Sequence, residues 1–317
     1  MKTLYIIGNG FDMHHDIKCS YKNFREWLGE HHSDVPNKIE EIYGGCDSEW
    51  WSDFEYNLGE IELMDYAQRI AIENPVELSS DHCDNTWNDA QVTIENEMSE
   101  LYKSLRKNFE KWIAQLNPPS PDKQIYIDKN DAKFIVFNYT QTLETLYKVP
   151  IQKILHIHGM VGKNEELIFG HGKSKEVLKK EHPTPNDLYY QGKLDEESAS
   201  NYDIHDVWAW EEMFDQVSSM RKPVEKIIEQ NKNFFNSIKG VRKICVYGFS
   251  FSDIDEPYLS KINNYAPDAH WEISCFSPRD RTRAKNFCYK FGIKDFSIIR
   301  LSELQNLMQL EIEFISQ

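Results

Sequence analysis

The chain has 317 residues, with 36 Lys and Arg against 52 Asp and Glu, a formal net charge of −16 and a hydrophobic fraction of 40%. That length and apolar content suffice for one large α/β domain, or for a core with a substantial second lobe. The acidity argues against nucleic acid as a partner, because phosphate-backbone affinity comes from clustered Lys and Arg.

The first element is a buried parallel strand, Leu4-Tyr5-Ile6-Ile7, which runs into the turn Gly8-Asn9-Gly10-Phe11-Asp12. The glycines permit a tight turn whose N–H groups can face an anionic ligand. Met13 stands where the dinucleotide fingerprint has its third glycine, and no Gly-Lys-Ser/Thr follows, so an ordinary dehydrogenase and a P-loop are both disfavoured. Residues 25–129 read as a helical insertion. Within it Ile94, Met98, Leu101, Leu105, Trp112 and Leu116 keep helical spacing up to a stop at Asn117-Pro118-Pro119.

Further apolar runs predict strands at Phe134–Phe137, Ile154–Ile157, Leu167–Phe169, Ile244–Tyr247, Ile273–Phe276 and Ser297–Ile299. Between them, 173–239 reads as a second helical insertion, with a mobile surface loop around 180–187 and an apolar stripe of Val224, Ile227, Ile228, Phe235 and Ile238. Ser302-x-x-Gln305 has capping-box spacing before a closing helix that carries Leu304, Leu307, Met308, Ile312 and Ile315. The pattern predicts an α/β fold with a Rossmann-like parallel sheet and large helical insertions. Its core is discontinuous, formed by 1–24, 130–172 and 240–317.

The six cysteines, at 19, 46, 83, 245, 275 and 288, form no Cys-x-x-Cys knuckle, which implies a reducing cytoplasm and no metal centre. The apolar stretch after Met1-Lys2-Thr3 is too short for a signal peptide and no run reaches membrane-spanning length. A soluble, unprocessed cytoplasmic protein without a membrane partner is expected. The pairs His14-His15 and His31-His32 read as solvated faces, since adjacent histidines rarely share one ion.

In open parallel sheets ligands bind beyond the carboxyl ends of the strands. Three segments hold that position beside the first turn: Asn138-Tyr139-Thr140, His156-Ile157-His158-Gly159 and Gly248-Phe249-Ser250-Phe251-Ser252-Asp253. Together with Ser20-Tyr21-Lys22-Asn23-Phe24 and Phe169-Gly170-His171-Gly172, these blocks resemble the AbiH family of bacteriophage abortive-infection proteins. More distantly they are similar to the core of sirtuins and sirtuin-like NAD hydrolases, with a Gly-x-Gly first turn, a strand-end Asn, a His-Gly and a late Gly-x-Ser. Thr140 stands where such enzymes commonly have an aspartate, and Ile17-Lys18-Cys19-Ser20 stands near their Gly-Ile-Pro-Asp-Phe-Arg segment. The paired-cysteine zinc module of the deacylases is absent, so the resemblance implies a hydrolase or a nucleotide binder.

The resemblance implies an antiphage effector that hydrolyses NAD to nicotinamide and ADP-ribose. The alternative is a non-catalytic sensor that binds NAD or an ADP-ribose derivative and signals through its helical lobes. A phage-derived trigger and a homo-oligomer are the expected partners, because ungated hydrolysis would kill the host. His158 is the candidate general base, and Asn138 would orient water or ribose. The expected nucleotide residues are Gly8, Asn9, Gly10, Phe11, Asp12, Thr140, Gly159, Gly248, Ser250, Asp253 and Ser277, of which Asp12 and Ser277 rest on position alone. Each has a plainer reading. Asn138 has the place of a helix cap, and His158 that of a satisfied buried histidine. His171 is a competing base or a solvent-facing turn residue, while Asp253 and Asp255 suit ribose binding or, more readily, a cap before Pro257. Strand alternation predicts that His156 and His158 face the same side.

Overall fold

The computed structural model describes residues 2–60, 63–75, 88–163, 166–199 and 204–305. Six strands form one all-parallel sheet: β1 (Thr3–Ile7), β2 (Ala132–Val136), β3 (Ile154–His156), β4 (Lys243–Tyr247), β5 (His270–Ser274) and β6 (Phe296–Ile299). Their order, β3-β2-β1-β4-β5-β6, is that of doubly wound nucleotide-binding sheets, whose order reverses between the first and fourth strands.

Both faces of the sheet are buried, which is why the strands read as continuous apolar runs. Leu4, Ile6, Ile135, Ile244, Val246, Trp271 and Ile273 point to one side, where residues of the helices Val224–Gln230, Lys232–Ser237, Glu256–Tyr265 and Pro278–Lys290 cover them. Tyr5, Ile7, Phe134, Val136, Cys245 and Tyr247 point to the other, against Phe11, Ile125, Leu143 and Tyr147. The register aligns Ile7 with Val136 and with Tyr247, so the turns that follow β1, β2 and β4 emerge at one level.

The chain divides into two compact units. The sheet unit comprises 1–23, 110–168 and 223–317; the helical unit comprises 24–109 and 169–222. The two insertions therefore make one unit, and its limits differ from those read in the sequence. Residues 223–239 go with the sheet because Val224, Ile227, Phe235 and Ile238 bury against it, and 110–129 supplies Ile125 and Ile127 to the opposite face. Residues 169–172 go with the helices, where the Phe169 ring packs on Phe54 and Phe109.

The long helix spans Asp89–Ala114 and buries Ile94, Met98, Leu101, Leu105 and Trp112. Trp51 and Trp210 are fully buried core residues of the helical unit. Leu167–Phe169 joins no sheet; Ile168 instead donates its N–H to the His158 carbonyl and accepts from the Tyr139 hydroxyl. The loop expected around 180–187 is structured, with a capping box of Thr184 and Asp187 that opens the helix Pro185–Tyr190. The closing helix already runs through 301–305, so Ser302 lies inside it, and its predicted remainder falls outside the described residues. No helix among the described residues is long and apolar enough to cross a membrane.

Candidate functional site

The first turn is explained by chain packing. Gly8 donates its N–H to Tyr247 O, Gly10 to Gly248 O at 2.8 Å, and Phe11 to Gly8 O. A Cβ on Gly8 would stand 2.5 Å from Gly248 O, and one on Gly248, whose φ is +64°, would stand 2.0 Å from Phe11 N. The glycines thus let the turns after β1 and β4 meet backbone to backbone where the strand order reverses. The N–H groups of Gly8, Gly10 and Phe11, expected to face an anion, are bonded to the protein's own carbonyls. Asn9 is likewise tied down, exchanging side-chain hydrogen bonds with the Cys19 carbonyl and thiol.

What the turn delivers is Asp12. This side chain is completely buried, and its carboxylate accepts from Thr140 Oγ1 at 2.5 Å and from Thr142 Oγ1 at 2.7 Å, with the Asn138 side chain nearby. Burial pushes its pKa up to about 6, against the pull of the two threonine hydroxyls, of Asn138 and of nearby His156. His156 Nε2 in turn lies 2.7 Å from Glu144 Oε1. Asn138 is buried, and its Oδ1 has no hydrogen-bond partner. The short helix Thr142–Thr145 starts after Gln141 without a side-chain cap, so the capping role considered for Asn138 is not the one it performs.

His158 belongs to a second group. The strand ends at His156 and the chain turns, so alternation fails. His156 faces Glu144, whereas His158 lies among the rings of Phe137, Tyr139 and Tyr258, with Nε2 3.5 Å from Asp255 Oδ1. Asp255, expected as a helix cap, makes no side-chain cap bond to the helix Glu256–Tyr265 and faces the histidine instead. Gly159 has φ +83°, and its missing Cβ makes room for the Glu166 carbonyl at 2.9 Å.

The remaining candidates do other work. Ser277 caps the helix Pro278–Lys290 in a capping box with Asp280. Ser250 and Asp253 are exposed in the turn after β4. In that turn Phe251 holds φ +53°, a strained conformation for an aromatic residue. His171 is neither solvent-facing nor a free base. It is buried in the helical unit, Nδ1 accepts from Lys173 N–H, and Nε2 therefore carries the proton donated to Val217 O. His15 is not on a solvated face either: Nδ1 donates to Phe11 O, Nε2 accepts from the Tyr147 hydroxyl, and burial lowers its pKa to about 4.

Sequence reasoning singled out Asn138, Thr140 and His158 from their strand-end positions. It missed Thr142 and Glu144, and gave Asp255 the wrong task. Threonines at alternate positions after a strand-end amide were the available signal for a buried acceptor. Among the described residues, no group of three or more His, Cys, Asp and Glu side chains is arranged to hold a metal ion.

The geometry is a set of buried, acid-partnered polar groups at the carboxyl ends of neighbouring parallel strands, carried by the same blocks that the sequence singles out. A search of curated proteins finds no match. The family model described as bacteriophage abortive infection AbiH matches residues 4–275, most of the chain. The chain belongs to the AbiH family of bacteriophage abortive-infection proteins.

Proposed function

We propose that this protein is an antiphage effector that hydrolyses NAD to nicotinamide and ADP-ribose, with a sirtuin-like nucleotide site at the carboxyl ends of β1–β4. One observation carries the reading. Asn138 and His158 follow adjacent strands, and each is a buried polar side chain with its own acid, Asp12 and Asp255 respectively. In the reaction the bond between nicotinamide nitrogen and ribose C1′ breaks, its electron pair leaves with nicotinamide, and water oxygen bonds to C1′. His158 takes the water proton, and Asp255 stabilises the resulting imidazolium. Asn138 orients the ribose or the water, which lowers the entropic part of the barrier. Ser250 and Asp253, exposed in the turn after β4, flank the bound nucleotide.

Ungated hydrolysis would kill an uninfected cell, so activity is expected only after a phage-derived trigger, with the helical unit as sensor or as the surface for self-association in the cytoplasm. The test is to incubate wild type, His158→Ala and Asn138→Ala with NAD, with and without extract of phage-infected cells, and to measure nicotinamide. Release by wild type and a loss of at least about 100-fold in either variant support the reading. Absence of release in every condition overturns it.

A second reading is supported by Thr140, whose hydroxyl is committed to Asp12 and stands where an acid is common in the NAD hydrolases. On it the protein binds NAD or an ADP-ribose derivative without cleaving it and signals through the helical unit. Calorimetric binding without turnover favours this reading.

A further inference from the structure

The amino ends of the last two strands carry three side chains that the proposed NAD reaction does not use. His270 opens β5, Ser297 lies in β6, and Asp295 stands just before β6. Parallel pairing sets Trp271 against Phe296 and Glu272 against Ser297, which brings His270 level with Asp295 and diagonal to Ser297. The imidazole ring spans the two. Nδ1 lies 2.8 Å from Asp295 Oδ1, and Nε2 lies 3.0 Å from Ser297 Oγ.

An ionised carboxylate only accepts, so Nδ1 carries the imidazole proton and Nε2 keeps a lone pair. Nε2 therefore accepts from the Ser297 hydroxyl. An acid on one ring nitrogen and a hydroxyl on the other is the arrangement that makes a serine nucleophilic, and it is recognised by geometry and not by chain order. The charged residues beside it on the sheet do not compete, since Lys243 and Glu272 pair with each other at 3.0 Å.

The group is also within reach of a substrate. The His270 and Asp295 side chains are 36% and 73% exposed, and Ser297 is half-buried. β6 ends the sheet order, so its outer edge has no neighbouring strand. Asp295 and Ile299 accept from β5, and by the alternation of the ladder the Ile298 N–H is directed to that open edge. The N–H of the residue after the nucleophile is a usual donor to the oxyanion in acyl transfer.

We propose that Ser297 is a nucleophile activated by His270, with Asp295 as a positioning residue, and that this second site takes short carboxylic esters. Ser297 Oγ bonds to the ester carbonyl carbon while its proton passes to His270 Nε2. The bond from that carbon to the alcohol oxygen breaks, and the alcohol leaves with the proton from His270. Water then gives a proton to His270 and its oxygen to the acyl carbon, which frees the carboxylic acid and returns the proton to Ser297. An exposed site holds the acyl group by little besides the covalent bond, so activated esters with small acyl groups suit it.

The probe is p-nitrophenyl acetate at neutral pH, with nitrophenolate release followed by absorbance and the acetyl group located by peptide mass mapping. Wild type is expected to carry acetyl on Ser297 and Ser297→Ala to lose that adduct. His270→Gln and Asp295→Asn are expected to slow acetylation by about 100-fold or more, with recovery in Asp295→Glu. Wild type without acetyl on Ser297 overturns the proposal. So does acetylation of Ser297 at the wild-type rate in His270→Gln, which would make it an ordinary hydroxyl. If the three residues only tie β6 to β5, their replacement lowers the denaturation midpoint while wild type stays unacetylated, and the proposal fails. Mapping on wild type needs no variant, so the test stands even where a substitution unfolds the edge strand.

Discussion

Asp12 lies in the short helix Asn9–His14 and His15 caps its carboxyl end, and burial drives their pKa values in opposite directions, up to about 6 and down to about 4. Their effects on stability oppose each other. Between about pH 4 and 6.5 the unfolded chain binds a proton at His15 that the folded chain does not, so this contribution is lost as the solution is acidified. Between about pH 3.8 and 6 the folded chain binds a proton at Asp12 that the unfolded chain does not, so this contribution is lost as pH rises through 6. In the overlap the two slopes cancel. Asp12→Asn is therefore expected to unmask His15: its stability relative to wild type should fall by up to about 1.4 kcal/mol for each pH unit of acidification from 6 to 4. Urea denaturation of both proteins across that range checks it; parallel curves would contradict the assignment.

The positions of the site residues were legible in the sequence, and their partners were not. Asn138 and His158 are found by reading to the end of an apolar run. That Thr140 serves Asp12, 128 residues earlier, depends on which strands become neighbours, and no local pattern encodes it. Asp255 was misjudged for the same reason. An aspartate before a helix reads as a cap, and only the β3 turn reveals a histidine in front of it.

Among the elements, parallel strands were the easiest to read because both faces are buried. Leu167–Phe169 misled for a related reason: it is apolar and buried or half-buried, yet the hydrogen bonds of Ile168 go to His158 and Tyr139. The turns after β1 and β4 make a sharper test. Gly8→Ala and Gly248→Ala push a Cβ into backbone, and the second also forces a positive φ on alanine. Each is expected to cost about 2–5 kcal/mol. Gly29→Ala, within the helix Tyr21–His31 and with nothing near its missing Cβ, is expected to stabilise by about 0.5–1 kcal/mol. Denaturant midpoints of the three variants distinguish a glycine required by packing from one that is not.

For the molecule as a whole, the division into a sheet unit and a helical unit means that stability has two separate bases. The sheet unit rests on two apolar faces. The helical unit combines an aromatic core with an ion pair of Lys222 and Glu55 at 2.9 Å, the lysine side chain being almost entirely inaccessible. Removing the acid leaves a buried charge, so Glu55→Ala is expected to destabilise by about 3–5 kcal/mol, whereas Glu55→Leu with Lys222→Met is expected to restore most of the loss. Thermal unfolding of the single and double variants provides the comparison. At the same scale, a net charge of −16 predicts negligible affinity for random duplex DNA at physiological salt, which fluorescence anisotropy measures directly.

The hydrogen bond from Gly10 to Gly248 joins residues that lie far apart in the sequence yet are fitted to each other at backbone distance. Neither turn can be exchanged alone. A chimaera that takes its first turn from one AbiH protein and its β4 turn from another inherits two halves of a joint cut to different patterns. Grafts between relatives should therefore transfer both turns together, and natural replacements at Gly8, Gly10 and Gly248 are expected to arise as a set.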